Sequence, residues 1–454
     1  MWITGGHRYI PNASSDLSWM LSSLGLSSLD ELFGDVPCGQ SGIERVPSEP
    51  MDEFSVKNCL EGTLSKNKLY GKKCFIGGGP WFHHVPSVIK HLISRGEFLT
   101  SYTPYQPEAS QGMLQALFEY QSLICELYGM EVANASLYDL PTAIAEAMLL
   151  SARVTGRKKF IVPSSMPRDR IAVLRGYGEP QGIRVAETPY DGGGGLDREA
   201  LLNEVDHETA AVYVENPSFF GTIDAAIEEV VEIAHDKGAL AIVGADPLSL
   251  GVFKPPGEYG ADIAVGDGQP MGIPPGLGGN GLGIMACRLD NRILRQMPGR
   301  IVGMTRTTEG DGKGFVLALS TREQHIRRGK ATSNICTNEA LLAVAAAIYL
   351  SLAGGDGLRR LAEGILRRTD YAVRRMKECG LGLPFAGRHF RDFAVEVADP
   401  EGVNARMRSR GVSGGRDLSK DFPGLGALLF AVTELHSRDD IDELASATGW
   451  AAHG

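Results

Sequence analysis

The sequence predicts an α/β chain: a large domain over residues 66–340 with a mainly parallel sheet covered by helices, a smaller α+β domain over 341–454, and an N-terminal arm over 1–65. Three observations predict it. Short apolar runs rich in β-branched residues alternate with segments of helical period, the rhythm of strand–helix–strand units. The helical segments close on Gly129, Gly156 and Gly238, where a left-handed residue ends a helix. At 454 residues the chain is longer than one core usually supports.

Taken in order, residues 1–65 are Ser-rich and weakly periodic, and read as a short helical arm that must pack on something larger. Residues 112–128, GMLQALFEYQSLICELY, place apolar side chains at helical spacing, and Pro141–Thr155 form a second helix. KKFIV (158–162), IRVAE (183–187) and AAVYVEN (210–216) read as strands. The next helix is expected to start near Thr222, present Ile223, Ile227, Val230, Val231 and Ala234 on one face, and stop at Lys237 and Gly238. GALAIVGAD (238–246), ADIAVGDG (261–268) and FVLAL (315–319) are further strands. ALLAVAAAIYLSLAG (340–354) is a buried helix, capped from the side of Thr337 and Asn338; its apolar run falls short of the roughly 20 residues a bilayer span needs.

Lys and Arg number 45 against 55 Asp and Glu, giving a net charge of −10, which argues against nucleic acid or an anionic membrane as the partner. Hydrophobic residues make up 43% and charged residues 22%, too apolar for a disordered chain. The seven cysteines (Cys38, Cys59, Cys74, Cys125, Cys287, Cys336 and Cys379) are scattered without a C-x-x-C pair, so neither a disulfide framework nor a zinc site is expected. His83 and His84 are adjacent and point opposite ways on a strand, so no metal site is expected there either. The N-terminus lacks an apolar core followed by a small-residue cleavage site, and a cytoplasmic location is expected.

Four segments could carry chemistry. Gly276–Gly281, GLGGNG, matches G-x-G-x-x-G in letters, but it follows Pro274 and Pro275 and leads into the strand-like LGIMACR, so it reads as a packed Gly-rich turn and not as a dinucleotide fingerprint. Thr100–Gln111, TSYTPYQPEASQ, holds Tyr102, Tyr105, Glu108 and Gln111 between two prolines. Two readings stand for it: a rigid loop lining a site or interface, or a stiffened connector into the helix at 112. Asn134–Thr142, NASLYDLPT, runs into a helix N-terminus where hydroxyls and free N–H groups can hold phosphate. Leu140 is bulky there and Pro141 lacks an N–H, which favours a plain cap with Asp139 as the capping residue. Thr321–Thr337 carries His325, Arg327, Arg328 and Lys330, which could meet a carboxylate, a phosphate or an interface, or form a solvated hinge segment.

These segments resemble one family over nearly the whole chain: subunit 1, the noncatalytic half, of the two-chain glycine decarboxylase (P-protein) of the glycine cleavage system. The resemblance begins at HRYIPNASSDLSWML and is strongest at FIGGG (75–79), EFLTSYTPYQPEASQGMLQALFEYQ (97–121) and GMEVANASLYD (129–139). It continues through AAVYVENPSFFG, KPPGEYGADIAVGDGQP and TREQHIRRGKATSNICTNEAL, and beyond about 355 is mostly one of length and composition. It implies a pyridoxal-phosphate (PLP) transferase architecture of fold-type I, aspartate aminotransferase-like, and an oxidoreductase active as a heteromeric complex, with two copies of each of two subunits. Subunit 2 is then the partner that carries PLP on a lysine; glycine loses CO2 there and its aminomethyl group passes to the lipoyl arm of the H-protein.

By the same resemblance this chain binds no PLP covalently. Ser136, Tyr138, Asp139, Thr142, Asp246 and Gln269 are vestigial cofactor-site positions, with Asp246 standing where a carboxylate pairs the pyridine nitrogen and Gln269 where the lysine is expected. Glutamine cannot form a Schiff base. Tyr102 and Tyr105 are expected to help shape the partner's glycine pocket, with Glu108 and Gln111 holding their loop by hydrogen bonds. YDLPTA, GGNGLG and GDGQ depart from the family's usual pattern and restore no lysine. Two other readings remain: an independent PLP-dependent aminotransferase or lyase, and a purely structural partner subunit.

Overall fold

The computed structural model describes residues 13–35, 50–68, 70–279, 281–308, 310–333, 335 and 337–453. Residues 7–12 of the N-terminal motif, Cys38, Asn280 of the Gly-rich turn and Cys336 lie outside the described residues. The chain divides into two compact units, Met1–Leu69 and Tyr70–Gly454. The first holds helices α1 (Ser14–Ser23) and α2 (Glu53–Leu64), neither of which buries a residue. Asp52 caps α2 by accepting the N–H of Ser55.

The second unit opens with residues 74–82 and the short helices α3 (Ser87–Ile93) and α4 (Gly96–Leu99). Next come α5 (Gln111–Tyr128), strand β1 (Val132–Ala133), α6 (Leu140–Thr155), β2 (Lys159–Pro163), α7 (Arg168–Gly178) and β3 (Arg184–Thr188). The alternation continues with α8 (Arg198–Glu204), β4 (Thr209–Glu215), α9 (Ile227–Asp236), β5 (Leu240–Gly244), β6 (Ile263–Asp267) and β7 (Gly283–Cys287). The seven strands form one sheet in the order β1-β7-β6-β5-β4-β2-β3, parallel from β6 to β3, with β7 antiparallel to both of its neighbours.

Strand periodicity explains why this sheet is covered on both faces. Val212 and Val214 of β4 and Ala241 and Val243 of β5 join one core with Leu114 and Ile124 of α5 and Val230 of α9. Ala211, Tyr213, Leu240 and Ile242, one residue out of phase, join the other core with Ile144 and Met148 of α6 and Leu174 of α7.

After α10 (Asn291–Leu294) a hairpin of β8 (Ile301–Arg306) and β9 (Lys313–Ala318) leads to the one-turn α11 (Gln324–Arg327) and to α12 (Ala340–Glu378). The chain ends with β10 (Asp392–Glu396), α13 (Pro400–Ser409), β11 (Arg416–Asp417), β12 (Ala427–Ala431) and α14 (Arg438–His453). Its three strands form a separate antiparallel sheet, β10-β12-β11, packed on Met376, Val403, Met407 and Leu444. The segment at 74–82 joins this smaller sheet: Cys74 bridges Ser413, Ile76 bridges Phe430, and Phe75 is buried in its core.

Three expectations need correction. The helix expected from Thr222 begins at Ile227, because Thr222 and Ile223 are extended and pair with His389 and Arg388. The apolar helix does not stop at 354 but runs on to Glu378 through a kink at Gly354, whose φ of 60° is open to glycine. No side chain caps its start at Glu339, and the Thr337 hydroxyl bonds Tyr102 instead. By length and composition this helix could cross a membrane, but Ala343–Ala347, Tyr349 and Leu350 are buried within the unit's own core.

Candidate functional site

Parallel strands deliver their carboxyl ends to one edge of the sheet, where ligand crevices form. Here that edge carries Glu215, Pro217, Ser218 and Phe219 after β4, Gly244, Ala245 and Asp246 after β5, and Asp267 at the end of β6. With Leu140, Arg170 and Trp81, and with Phe390, Arg391 and Asp392 at the start of β10, they line a small cavity of about 60 Å³. Gly221 lets the loop after β4 run against β10: a Cβ there would lie 1.8 Å from the Asp392 carbonyl oxygen.

The lining is charged and largely self-satisfied. Arg170 pairs with Glu215 at 2.8 Å, and the Tyr213 hydroxyl donates to the same carboxylate. Arg391 lies over the Trp81 ring, its Cζ 3.5 Å from the centroid, and pairs with Asp246 at 2.5 Å and Asp392 at 3.1 Å. Asp246 also accepts the N–H groups of Leu248 and Ser249. Asp392 accepts from the Gly78 N–H and the Trp81 indole. Beneath them His83 bonds Glu434 at 2.8 Å; burial pushes that carboxyl up, but the bonds from His83 and the His84 N–H prevail and hold it below its ordinary value. At Asp267 the balance falls the other way. Burial pushes its carboxyl up to about 6, against the backbone bond from Gln269 and the charge of Arg170.

These residues do not fit PLP. The group needs an amine, a free carboxylate for its ring nitrogen and a phosphate cradle. None of the lining residues is a lysine, and the Asp246 carboxylate is committed to Arg391. At the start of α6, Asp139 accepts the Thr142 N–H at 2.9 Å and the Thr142 hydroxyl at 2.7 Å, a capping box that sets a carboxylate where a phosphate would sit. Gln269 donates to the Trp81 and Ile273 carbonyls. Ser136 is fully buried, Tyr138 half-buried, and neither lines the cavity; of the vestigial positions named above, only Asp246 does. The turn at 276–279 is exposed, and Gly281 packs against the Tyr138 carbonyl.

A second group gathers around the tyrosine loop. The Arg300 guanidinium donates to the Tyr105 hydroxyl at 2.9 Å, lies over the Tyr105 ring at 4.6 Å and pairs with Glu323 at 2.8 Å. His325 meets the same ring edge-on at 5.1 Å. Gln111 clamps the loop to β9, accepting the Phe315 N–H and donating to its carbonyl. Glu108, expected to share that task, is exposed and makes no side-chain hydrogen bond with a described residue. Tyr102 is 72% exposed and Tyr105 45%, and Arg327, Arg328 and Lys330, which follow His325 in sequence, are exposed as well. Neither the loop nor this basic stretch lines the cavity at Asp246.

Sequence reasoning missed Trp81, Arg170, Asp267, Arg391 and Asp392. The available signal was local: an Arg–Asp pair directly before the apolar FAVEV marks charge at the mouth of a buried strand.

The family model of the glycine cleavage system P-protein matches residues 7–448. A probable glycine dehydrogenase (decarboxylating) subunit 1 from Staphylothermus marinus is 48% identical over 96% of this chain and 97% of its own length. A crystal structure of a glycine decarboxylase (P-protein) of the glycine cleavage system, in inhibitor-bound form, superposes with a TM-score of 0.83 at 41% identity, covering 98% of this chain and all of that one. A sphingosine-1-phosphate lyase from Burkholderia pseudomallei shares the fold at 17% identity, with a TM-score of 0.66 over 92% of this chain and 94% of its own. The architecture is therefore that of the fold-type I PLP-dependent enzymes. Matched over nearly its whole length in sequence and in structure, the chain belongs to the glycine cleavage system P-protein family.

Proposed function

We propose that this chain is subunit 1 of a two-chain glycine dehydrogenase (decarboxylating), the half that carries no cofactor. The observation that supports this most directly is the cavity at the sheet edge: it lacks a lysine and its carboxylate is bound to an arginine of the same chain. The chemistry then belongs to a partner, subunit 2, with PLP on a lysine. That partner decarboxylates glycine and transfers the aminomethyl group to the lipoyl arm of the H-protein, in a cytoplasmic assembly of two copies of each subunit.

In that assembly this chain contributes surface. Tyr102 and Tyr105 are exposed, yet each is held: Tyr102 by Thr337 at 2.9 Å, Tyr105 by Arg300. A rigid aromatic wall of this kind can exclude water and position a small substrate. His325 packs on Tyr105, and the exposed Arg327, Arg328 and Lys330 that follow it in sequence supply cationic contacts to the partner. The division into an arm (1–65), a large domain (66–340) and a small domain (341–454) belongs to the same proposal and is supported by the separate three-stranded sheet.

Reconstitution tests it. The chain incubated alone with PLP and gel-filtered should keep no visible chromophore and release no CO2 from glycine. Mixed with the lysine-bearing partner and lipoylated H-protein, it should restore turnover that neither chain shows alone. A chromophore retained by this chain, or full turnover by the partner without it, overturns the assignment.

A further inference from the structure

We infer that Trp81, Asp246 and Asp392, in the wall of the cavity at the carboxyl edge of the sheet, form a receptor for a planar delocalised cation, and that the chain occupies it with its own ligand, the guanidinium of Arg391. The site has the parts such a cation needs. The Trp81 ring supplies a face at 3.5 Å, and Asp246 and Asp392 supply carboxylates at 2.5 and 3.1 Å. Both carboxylates are held by donors that do not depend on Arg391: the Leu248 and Ser249 N–H groups for Asp246, and the Gly78 N–H and Trp81 indole for Asp392. The receptor is thus built separately from its ligand.

The ligand is well buried. Arg391 holds a φ of 60°, a left-handed conformation uncommon for residues other than glycine. Its side chain is 4% exposed. Charge points the same way. The lining carries Glu215, Asp246, Asp267 and Asp392 against Arg170 and Arg391, so without Arg391 four carboxyl groups would face one guanidinium. Because Asp246 follows β5 and Arg391 precedes β10, the internal ligand also ties the seven-stranded sheet to the three-stranded one. None of this depends on whether the chain serves as subunit 1.

The test is chemical complementation of the full-length Arg391→Ala variant with ethylguanidinium, the fragment the substitution deletes. The variant should melt about 5 °C or more below the parent chain, as expected for a buried pair that has lost one member. Ethylguanidinium should raise its melting temperature saturably towards the parent value. Ethylammonium should not, the parent chain should not respond, and adding Asp246→Asn should abolish the rescue. Arg391→Lys keeps the charge without the plane; it should also melt low, which covers the case in which Arg391→Ala fails to fold. An Arg391→Lys variant as stable as the parent overturns the inference, as does equal rescue by the two cations or rescue that survives Asp246→Asn. The readout is melting of the chain by itself, so it separates from any failure of glycine turnover.

Discussion

Asp267→Asn should stabilise this protein at neutral pH, and the size of the effect follows from its surroundings. The carboxyl ends β6 at the cavity wall, where burial raises it from 3.8 to about 6. Between those values the folded chain binds a proton that the unfolded chain releases. Stability contributed by the protonated group is therefore full below about pH 4 and is lost as pH rises through about 6. A shift of about 2 units corresponds to about 3 kcal/mol once both states are ionised. Asparagine is neutral throughout and its side-chain oxygen can still accept the Gln269 N–H now bonded to Asp267 at 2.9 Å. Urea unfolding of the two full-length proteins across this range should show the variant ahead by about 1 kcal/mol near pH 4.5 and by about 3 kcal/mol above pH 7. A difference that stays constant with pH would refute the reasoning, because it would show that Asp267 does not titrate between the two states as its burial demands.

Other substitutions test other parts of the structure. Tyr105→Phe removes the hydroxyl that accepts from Arg300 and should lower glycine turnover of the assembled enzyme roughly 10-fold or more while leaving assembly by gel filtration intact; unchanged kinetics would remove the loop's proposed role, and weakened assembly would make it structural. Gln111→Ala severs both bonds to the Phe315 backbone and should cost about 1–3 kcal/mol in urea unfolding. His235 is raised by its hydrogen bond to the buried Asp262, against burial and the charge of Arg288. Its contribution is present below about pH 6.5 and fades as pH rises past its raised value, so His235→Gln should flatten the stability profile above that point.

The strands of the central sheet were legible because a strand covered on both faces is a short apolar run that little else in a soluble chain imitates. Boundaries failed where a distant partner decided the conformation. Thr222 and Ile223 continue the apolar pattern of α9, yet His389 and Arg388, over 160 residues on, draw them into an extended pairing. Gly354 and Gly355 read as a stop, but the charged stretch after them is amphipathic enough to carry α12 on to Glu378 along the smaller sheet. At the site, Asp139 as a helix cap and Gln111 as the loop's anchor followed from local chemistry. The pairing of Asp246 with Arg391 did not, because nothing near either residue announces the other.

The placement of β1 bears on how the chain is made. Its two residues pair with β7, about 150 positions further on, and the apolar face of α5 just before it packs on β8, β9 and α12, later still. At the usual pace of synthesis, roughly 5–20 residues per second, that helix waits on the order of 10–40 s for its partners to leave the ribosome. Over that interval Leu114, Leu117 and Ile124 have no native cover from the segments that later bury them. A strand of only two residues is a poor template for pairing with a neighbouring chain. The brevity of β1 therefore limits the risk of intermolecular pairing during that delay, while the exposed helix gives a holding chaperone something to cover.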